Sequence, residues 1–203
     1  MSNIRNVAVL SHSGAGKTSL VEAMLYRAGA ISSLGKVEDG STVSDNTPEE
    51  KRRKISIYAS VHPFTWQDHE FNIIDTPGYA DFVSEIRGAL AAADAAMIVV
   101  SAVSGVAVGT ERVWTSALNR ELSTLIVINK MDRENADFFR TMADIEATLP
   151  GNIATIQVPI GQAEDFRGVV DLLGMTAHTW EGGEPVEGPI PAEVAGLANE
   201  YRE

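Results

Sequence analysis

Ser11-His12-Ser13-Gly14-Ala15-Gly16-Lys17-Thr18 constrains the fold more than any other stretch of the chain. It follows an apolar run, residues 4–10, that reads as a buried strand. It leads into residues 17–28, where Leu20, Val21, Met24 and Leu25 share one helical face and Gly29 marks the end. A strand turning through glycine straight into a helix leaves that helix's unpaired N–H groups and positive dipole end open to an anion. Gly14 and Gly16 let the backbone wrap such an anion closely. The pattern is that of a phosphate loop, with Ser13, Gly14, Ala15, Gly16, Lys17, Thr18 and Ser19 as candidate contacts. Lys17 would reach the β- and γ-phosphates, and the Thr18 hydroxyl would ligate Mg2+. Ser11 stands where the usual pattern has glycine. Taken alone, the segment also reads as a helix capped by a Ser/Gly turn.

The remaining pattern alternates strands and helices. Residues 55–64 and 70–74 read as a strand pair joined by Trp66-Gln67-Asp68-His69. Helical patterns cover residues 81–93, 109–119 and 135–149, and strands cover 96–100, 123–128 and 153–159. That order implies an α/β fold with a mostly parallel sheet covered by helices on both faces. Residues 30–54 show weak periodicity, and an irregular stretch of that length inside a compact domain is usually functional or mobile. From Gly161 onward Gly and Pro become frequent, residues 169–173 and 175–180 read as strands of an appended β element, and residues 189–203 read as the start of a helix. The expected division is residues 1–160 and 161–203.

Two further motifs fall at strand ends. Asp75-Thr76-Pro77-Gly78 follows the strand ending at Ile74. A carboxylate there can hold Mg2+ through water, and the Gly78 N–H can donate to a γ-phosphate. Asn129-Lys130-Met131-Asp132 follows the strand ending at Ile128. Guanine presents N1–H and an N2 amino group side by side, and one carboxylate, Asp132, can accept both. Adenine would leave that carboxylate unpaired, at a cost of about 1–3 kcal/mol. Asn129 can tie the loop to the phosphate loop, and the Lys130 stem can lie over the ring. Each motif alone has an ordinary turn as its rival reading; their order along the chain favours GTP or GDP as ligand.

Composition sets outer limits. With no cysteine, neither a disulfide framework nor a Cys-based metal site is possible. The net charge of -12 opposes stable DNA binding, because phosphate neutralisation needs Lys and Arg. The most apolar run, residues 89–103, contains Asp94 and is too short to cross a bilayer, so no membrane partner is expected. No signal-peptide pattern opens the sequence. His62, His69 and His178 lack ligand spacing, and Trp66, Trp114 and Trp180 read as core or hairpin residues. Lys51-Arg52-Arg53-Lys54 reads as a solvated face, with contact to RNA as the second reading.

The chain resembles the N-terminal GTP-binding domain of translational GTPases of the elongation factor G and elongation factor G-like type. Asp75-Thr76-Pro77-Gly78-Tyr79-Ala80-Asp81-Phe82 is similar to the family's Asp-Thr-Pro-Gly-His-x-Asp-Phe. Asn129 to Arg133 with Ala136-Asp137-Phe138 is similar to its guanine loop. Gln157-Val158-Pro159-Ile160-Gly161 and Gly168-Val169-Val170-Asp171-Leu172 resemble its entry into an inserted subdomain. The resemblance implies a P-loop NTPase with a Ras-like G domain and the start of an inserted β-containing subdomain near Gly161. It implies a cytoplasmic GTPase that uses Mg2+ and acts with the ribosome. On its pattern Thr18, Ser56 and Asp75 are the candidate metal ligands, and Tyr79, Lys17 and Gly78 the candidate catalytic residues. The family carries a fifth nucleotide motif after the insert, so the chain is expected to be a fragment lacking the last guanine loop, a strand and a closing helix.

Three departures concern hydrolysis. Gly14 stands where the family commonly has Asp, Arg53-Lys54-Ile55-Ser56-Ile57 where it reads Arg-Gly-Ile-Thr-Ile, and Tyr79 where its His orients the attacking water. Ser56 keeps a hydroxyl for the metal. A phenol is longer than an imidazole and does not charge near neutral pH, so the alternative expectation is a GTP/GDP-binding switch with little turnover. An ATP-using phosphate-loop enzyme is the third reading, opposed by Asn129 and Asp132.

Overall fold

A computed structural model describes residues 3–181 and 184–202. It divides into two compact units, the first formed by residues 3–100 with Val106–Asn129, the second by Ser101–Gly105 with residues 130–202.

The first unit is built on a five-stranded sheet. Its strands are β1 (Ile4–Leu10), β2 (Ser60–Trp66), β3 (His69–Asp75), β4 (Ala95–Ser101) and β5 (Ser123–Asn129), in the order β2-β3-β1-β4-β5. β1 runs parallel to both β3 and β4, and β2 pairs antiparallel with β3. The β2–β3 turn is two residues, Gln67 at φ 45° and Asp68 at φ 62°, the twist that a tight hairpin requires. The helices are α1 (Lys17–Arg27), α2 (Pro48–Arg53), α3 (Val83–Ala92, after a 3-10 turn at Ala80–Phe82) and α4 (Val108–Leu118).

Central strands of such a sheet are apolar on both sides. Val9, Ile73 and Val99 pack with Val21 and Leu25 of α1. Their alternate neighbours Ala8, Leu10, Ile74, Ile98 and Val100 point to the opposite face and are also buried. Because β3 and β4 flank β1 on opposite sides, the chain leaving β1 emerges in a crevice at the strands' carboxyl ends, where open α/β sheets bind ligands.

The second unit holds α5 (Phe138–Thr148), an antiparallel sheet of β6 (Gln157–Ile160), β7 (Gly168–Asp171), β8 (Thr176–Glu181) and β9 (Glu184–Gly188), and α6 (Ala192–Arg202) against β6. Asp137 caps α5 by accepting from the Arg140 N–H at 3.0 Å. Gly161 sits between β6 and β7 at φ 75°. The last residue of the expected tail helix, Glu203, lies outside the described residues.

Three readings of the sequence shift. Residues 30–54 are not wholly irregular, because α2 lies within them. Thr47 caps α2, its hydroxyl accepting from the Glu50 N–H while the Glu50 carboxylate takes the Thr47 N–H, with Pro48 at the first helical position. Thr47-Pro48-Glu49-Glu50 carries that signature, but six residues of helix show no readable periodicity. The strand expected from residue 55 begins at Ser60, because the N–H groups before it go to side-chain carboxylates instead of a ladder. The strand expected over residues 153–159 is β6 and joins the second sheet, with β9 added at its far edge.

Lys54 closes α2 in the left-handed conformation, φ 58° and ψ 41°, a position that favours glycine. Lys54→Gly is expected to raise stability by up to about 1 kcal/mol, read as a higher urea midpoint. A lowered midpoint would show that the lysine side chain contributes more than its backbone strain costs.

Candidate functional site

The loop between β1 and α1 takes its shape from two left-handed glycines, Gly14 at φ 79° and Gly16 at φ 96°. Gly16 is the residue before α1, and no side chain caps that helix, so its first N–H groups are left for a ligand. Lys17 and Thr18 are buried in the first turn. The Lys17 ammonium folds back to donate to Ser11 Oγ at 3.0 Å. Burial lowers the Lys17 pKa, and the carboxylates of Asp75 and Asp45 oppose that shift. His12 is exposed and its ring lies over Gly109 of α4, where a Cβ would come within 2.6 Å of Nδ1.

β3 delivers Asp75 beside this loop, since Asp75 is paired in register with Val9. Thr76 fixes the turn that follows, its buried hydroxyl donating to the Val9 carbonyl at 2.6 Å. Gly78 then passes so close that a Cβ would lie 2.7 Å from Lys17 Nζ and 2.7 Å from Ser13 Cα. No other residue fits there. Tyr79 comes next, with its side chain 41% exposed and its carbonyl receiving the Phe82 N–H at 3.1 Å.

Asp75 is 1% exposed, and neither of its carboxylate oxygens has a hydrogen-bond partner. Burial pushes its pKa up to about 6. Lys17 and the nearby hydroxyls of Thr18 and Ser44 oppose the shift, but neither hydroxyl reaches hydrogen-bonding geometry. Asp45 is also buried, with Oδ1 unpartnered, and burial raises its pKa against the Ser56 hydroxyl and Lys17. Ser56 Oγ meets Thr18 Oγ1 at 3.1 Å. Two hydroxyls and an orphaned carboxylate make an all-oxygen donor set, the chemistry that suits a hard divalent cation. The residues fit Mg2+. Among the described residues no group of three or more His, Cys, Asp or Glu could hold a metal ion.

The segment carrying Ser56 is held by carboxylates that sequence reasoning missed. Glu22 lies on the buried face of α1 and accepts the N–H groups of Gly35 and Val43, each at 3.1 Å. Glu50 accepts from Ile57 N–H at 3.0 Å and Tyr58 N–H at 3.1 Å as well as from Thr47. Burial would raise the Glu50 pKa, but those hydrogen bonds outweigh it and leave the group below its usual range. A glutamate amid Val21 and Leu25 on an apolar helical face was the available signal for Glu22; Asp45 had none.

Asn129, at the end of β5, reaches the phosphate loop: its Nδ2 donates to the Ala15 carbonyl at 2.9 Å. Lys130, Met131 and Asp132 open the second unit. Lys130 is left-handed at φ 64°, and buried Met131 accepts the Ala163 N–H through its carbonyl at 2.8 Å. The Asp132 carboxylate is open to solvent, and its 3.7 Å contact with Arg133 is exposed, too weak to occupy it.

A family model described as elongation factor Tu GTP binding domain matches residues 2–187. Elongation factor G of Granulibacter bethesdensis is 40% identical over 207 residues, spanning 100% of this chain and 30% of that protein. A crystal structure of a protein from Thermus thermophilus aligns with a TM-score of 0.92 at 41% identity, covering 98% of this chain and 30% of that one. The chain therefore spans 30% of the length of these relatives.

The sign of the Asp75 shift gives a test. A raised carboxyl pKa favours the protonated folded state; that contribution is complete below 3.8 and is lost as pH rises through about 6. At pH 7.5 the metal-free protein therefore carries the full cost of the buried charge. Asp75→Asn is expected to stabilise it there by about 1–3 kcal/mol, with a smaller gain near pH 5, by urea denaturation in EDTA. A gain that does not shrink toward pH 5, or a loss at pH 7.5, would contradict this assignment of cost to the charge.

Proposed function

The chain belongs to the elongation factor Tu GTP-binding-domain family, and from that premise we propose that it binds GTP and GDP with Mg2+ and hydrolyses GTP in the service of a ribosome-associated translational GTPase. The observation that carries this reading is the pair of unpartnered Asp75 oxygens buried beside Lys17 and Thr18. A fold tolerates such a charge where a ligand completes it.

Backbone N–H groups of Ser13, Gly14, Ala15, Gly16, Lys17, Thr18 and Ser19 cradle the phosphates, and the Lys17 ammonium exchanges Ser11 for phosphate oxygen. Gly78, already against Ser13 and Lys17, offers its N–H to the γ-phosphate. Thr18, Ser56 and Asp75 would hold Mg2+ through their hydroxyl and carboxylate oxygens. Bound there, the ion would neutralise phosphate charge. Asn129 braces the loop through Ala15, Lys130 lies along the base, and Asp132 accepts the two guanine donors. Cytoplasmic location and the ribosome as partner belong to this proposal. No helix among the described residues is long and apolar enough to cross a membrane.

A second reading, a nucleotide-dependent switch with little turnover, is favoured by Tyr79. Hydrolysis needs a water held in line with the γ-phosphate. The residue after Gly78 is a 41%-exposed phenol.

GTP turnover with and without ribosomes distinguishes the two readings. Tyr79→His is expected to raise stimulated turnover by about tenfold or more. Equal, fast rates in both proteins would sink the switch reading.

A further inference from the structure

Residues 55–59 belong to no strand or helix, so their N–H groups must find partners elsewhere. Three consecutive ones end on carboxylates. Ile57 and Tyr58 donate to Glu50 Oε1, and Ala59 donates to Glu85 Oε2 at 2.9 Å. The two acceptors differ in origin. Glu50 is local, on the helix that immediately precedes the segment. Glu85 comes from the first turn of α3, the helix that follows Asp75-Thr76-Pro77-Gly78. It is half-buried and lies 26 residues from Ala59 in sequence.

Glu50 alone fixes Ser56 only relative to α2, which is itself part of the same excursion of chain between α1 and β2. Glu85, on α3, holds the far side of Ser56 one residue before the ladder in which Ser60 pairs with Asp75. Ser56 and Ala59 are three residues apart, a span of at most about 10 Å of chain. Holding Ala59 therefore limits how far the Ser56 hydroxyl can move from Thr18 Oγ1, 3.1 Å away.

We infer that Glu85 is a positioning residue for the cation site: by accepting the Ala59 N–H it holds the Ser56 hydroxyl beside Thr18. The inference rests on the proposed binding of GTP with Mg2+. Glu85 touches neither nucleotide nor metal in this role. It acts through the backbone, so its carboxylate oxygen matters and its full charge does not.

The test uses the 203-residue chain and two readouts. In the nucleotide-free protein, Glu85→Ala is expected to speed amide exchange at Ala59 by about tenfold, and Glu85→Gln, which keeps an acceptor oxygen, to restore protection. In binding titrations with a fluorescent GTP analogue, Glu85→Ala is expected to reduce the strengthening given by Mg2+ by about three- to tenfold while leaving affinity in EDTA unchanged. Adding it to Ser56→Ala is expected to bring no further loss, since Glu85 acts only by positioning the hydroxyl that Ser56→Ala removes. Equal weakening in Mg2+ and in EDTA, no weakening, or full additivity with Ser56→Ala would overturn the positioning role while leaving nucleotide binding intact. A wild-type chain whose GTP binding Mg2+ does not strengthen would overturn the functional reading and this inference with it.

Discussion

The buried Asp75 carboxylate is a charge that the protein alone does not satisfy, and the surrounding structure is arranged about it. Its strand pairs with β1, so the carboxylate arrives where β1 gives way to the phosphate loop. Lys17 sits in the same buried volume and is the largest force keeping Asp75 charged. The ammonium has one neutral partner, Ser11, so it too is only partly compensated. Removing charges from water costs several kcal/mol each unless paired and hydrogen-bonded. In the proposed function, phosphate and a divalent cation would offset that cost together.

Acidic residues elsewhere in the first unit serve as internal acceptors. The chain carries 28 Asp and Glu against 16 Lys and Arg, a balance that suggests a solvated surface. Yet Glu22, Glu50 and Glu85 each receive backbone N–H groups from the connection between α1 and β2. A carboxylate accepts several such bonds at once and each is stronger than a neutral one. This explains how a long connection with little regular structure holds Ser44, Asp45 and Ser56 near the loop. Carboxylates can release what they hold without unravelling a sheet ladder, while Ile31 and Val43 tie the same connection to the core.

Much of this was legible in the sequence because the informative motifs are continuous. The strand at residues 4–10, the glycine loop and the helix after it occupy one stretch, and periodicity and backbone chemistry agree there. Asp75 and Asn129 were readable because each ends an apolar strand. What escaped is non-local. Glu85 reads as an ordinary first-turn glutamate of α3 until its partner at Ala59 is known. Glu22 hides within an apolar helical face, and the start of β2 was misplaced because side-chain acceptors replaced ladder partners before Ser60. The α2 cap could have been found, since Thr47-Pro48-Glu49-Glu50 is a local signal. Lys54 could not, because a lysine gives no sign of a left-handed backbone.

In the proposed function guanine recognition falls to the Asp132 carboxylate, which is exposed. The most direct measurement is displacement of a Mg2+-bound fluorescent GTP analogue by unlabelled GTP, GDP and ATP, made on the wild-type chain and on Asp132→Asn. GTP and GDP should displace the probe while ATP fails at about a hundredfold higher concentration, and Asp132→Asn should weaken GTP by about tenfold or more. Displacement by ATP as readily as by GTP, or unchanged GTP affinity in Asp132→Asn, would contradict the assignment of the base.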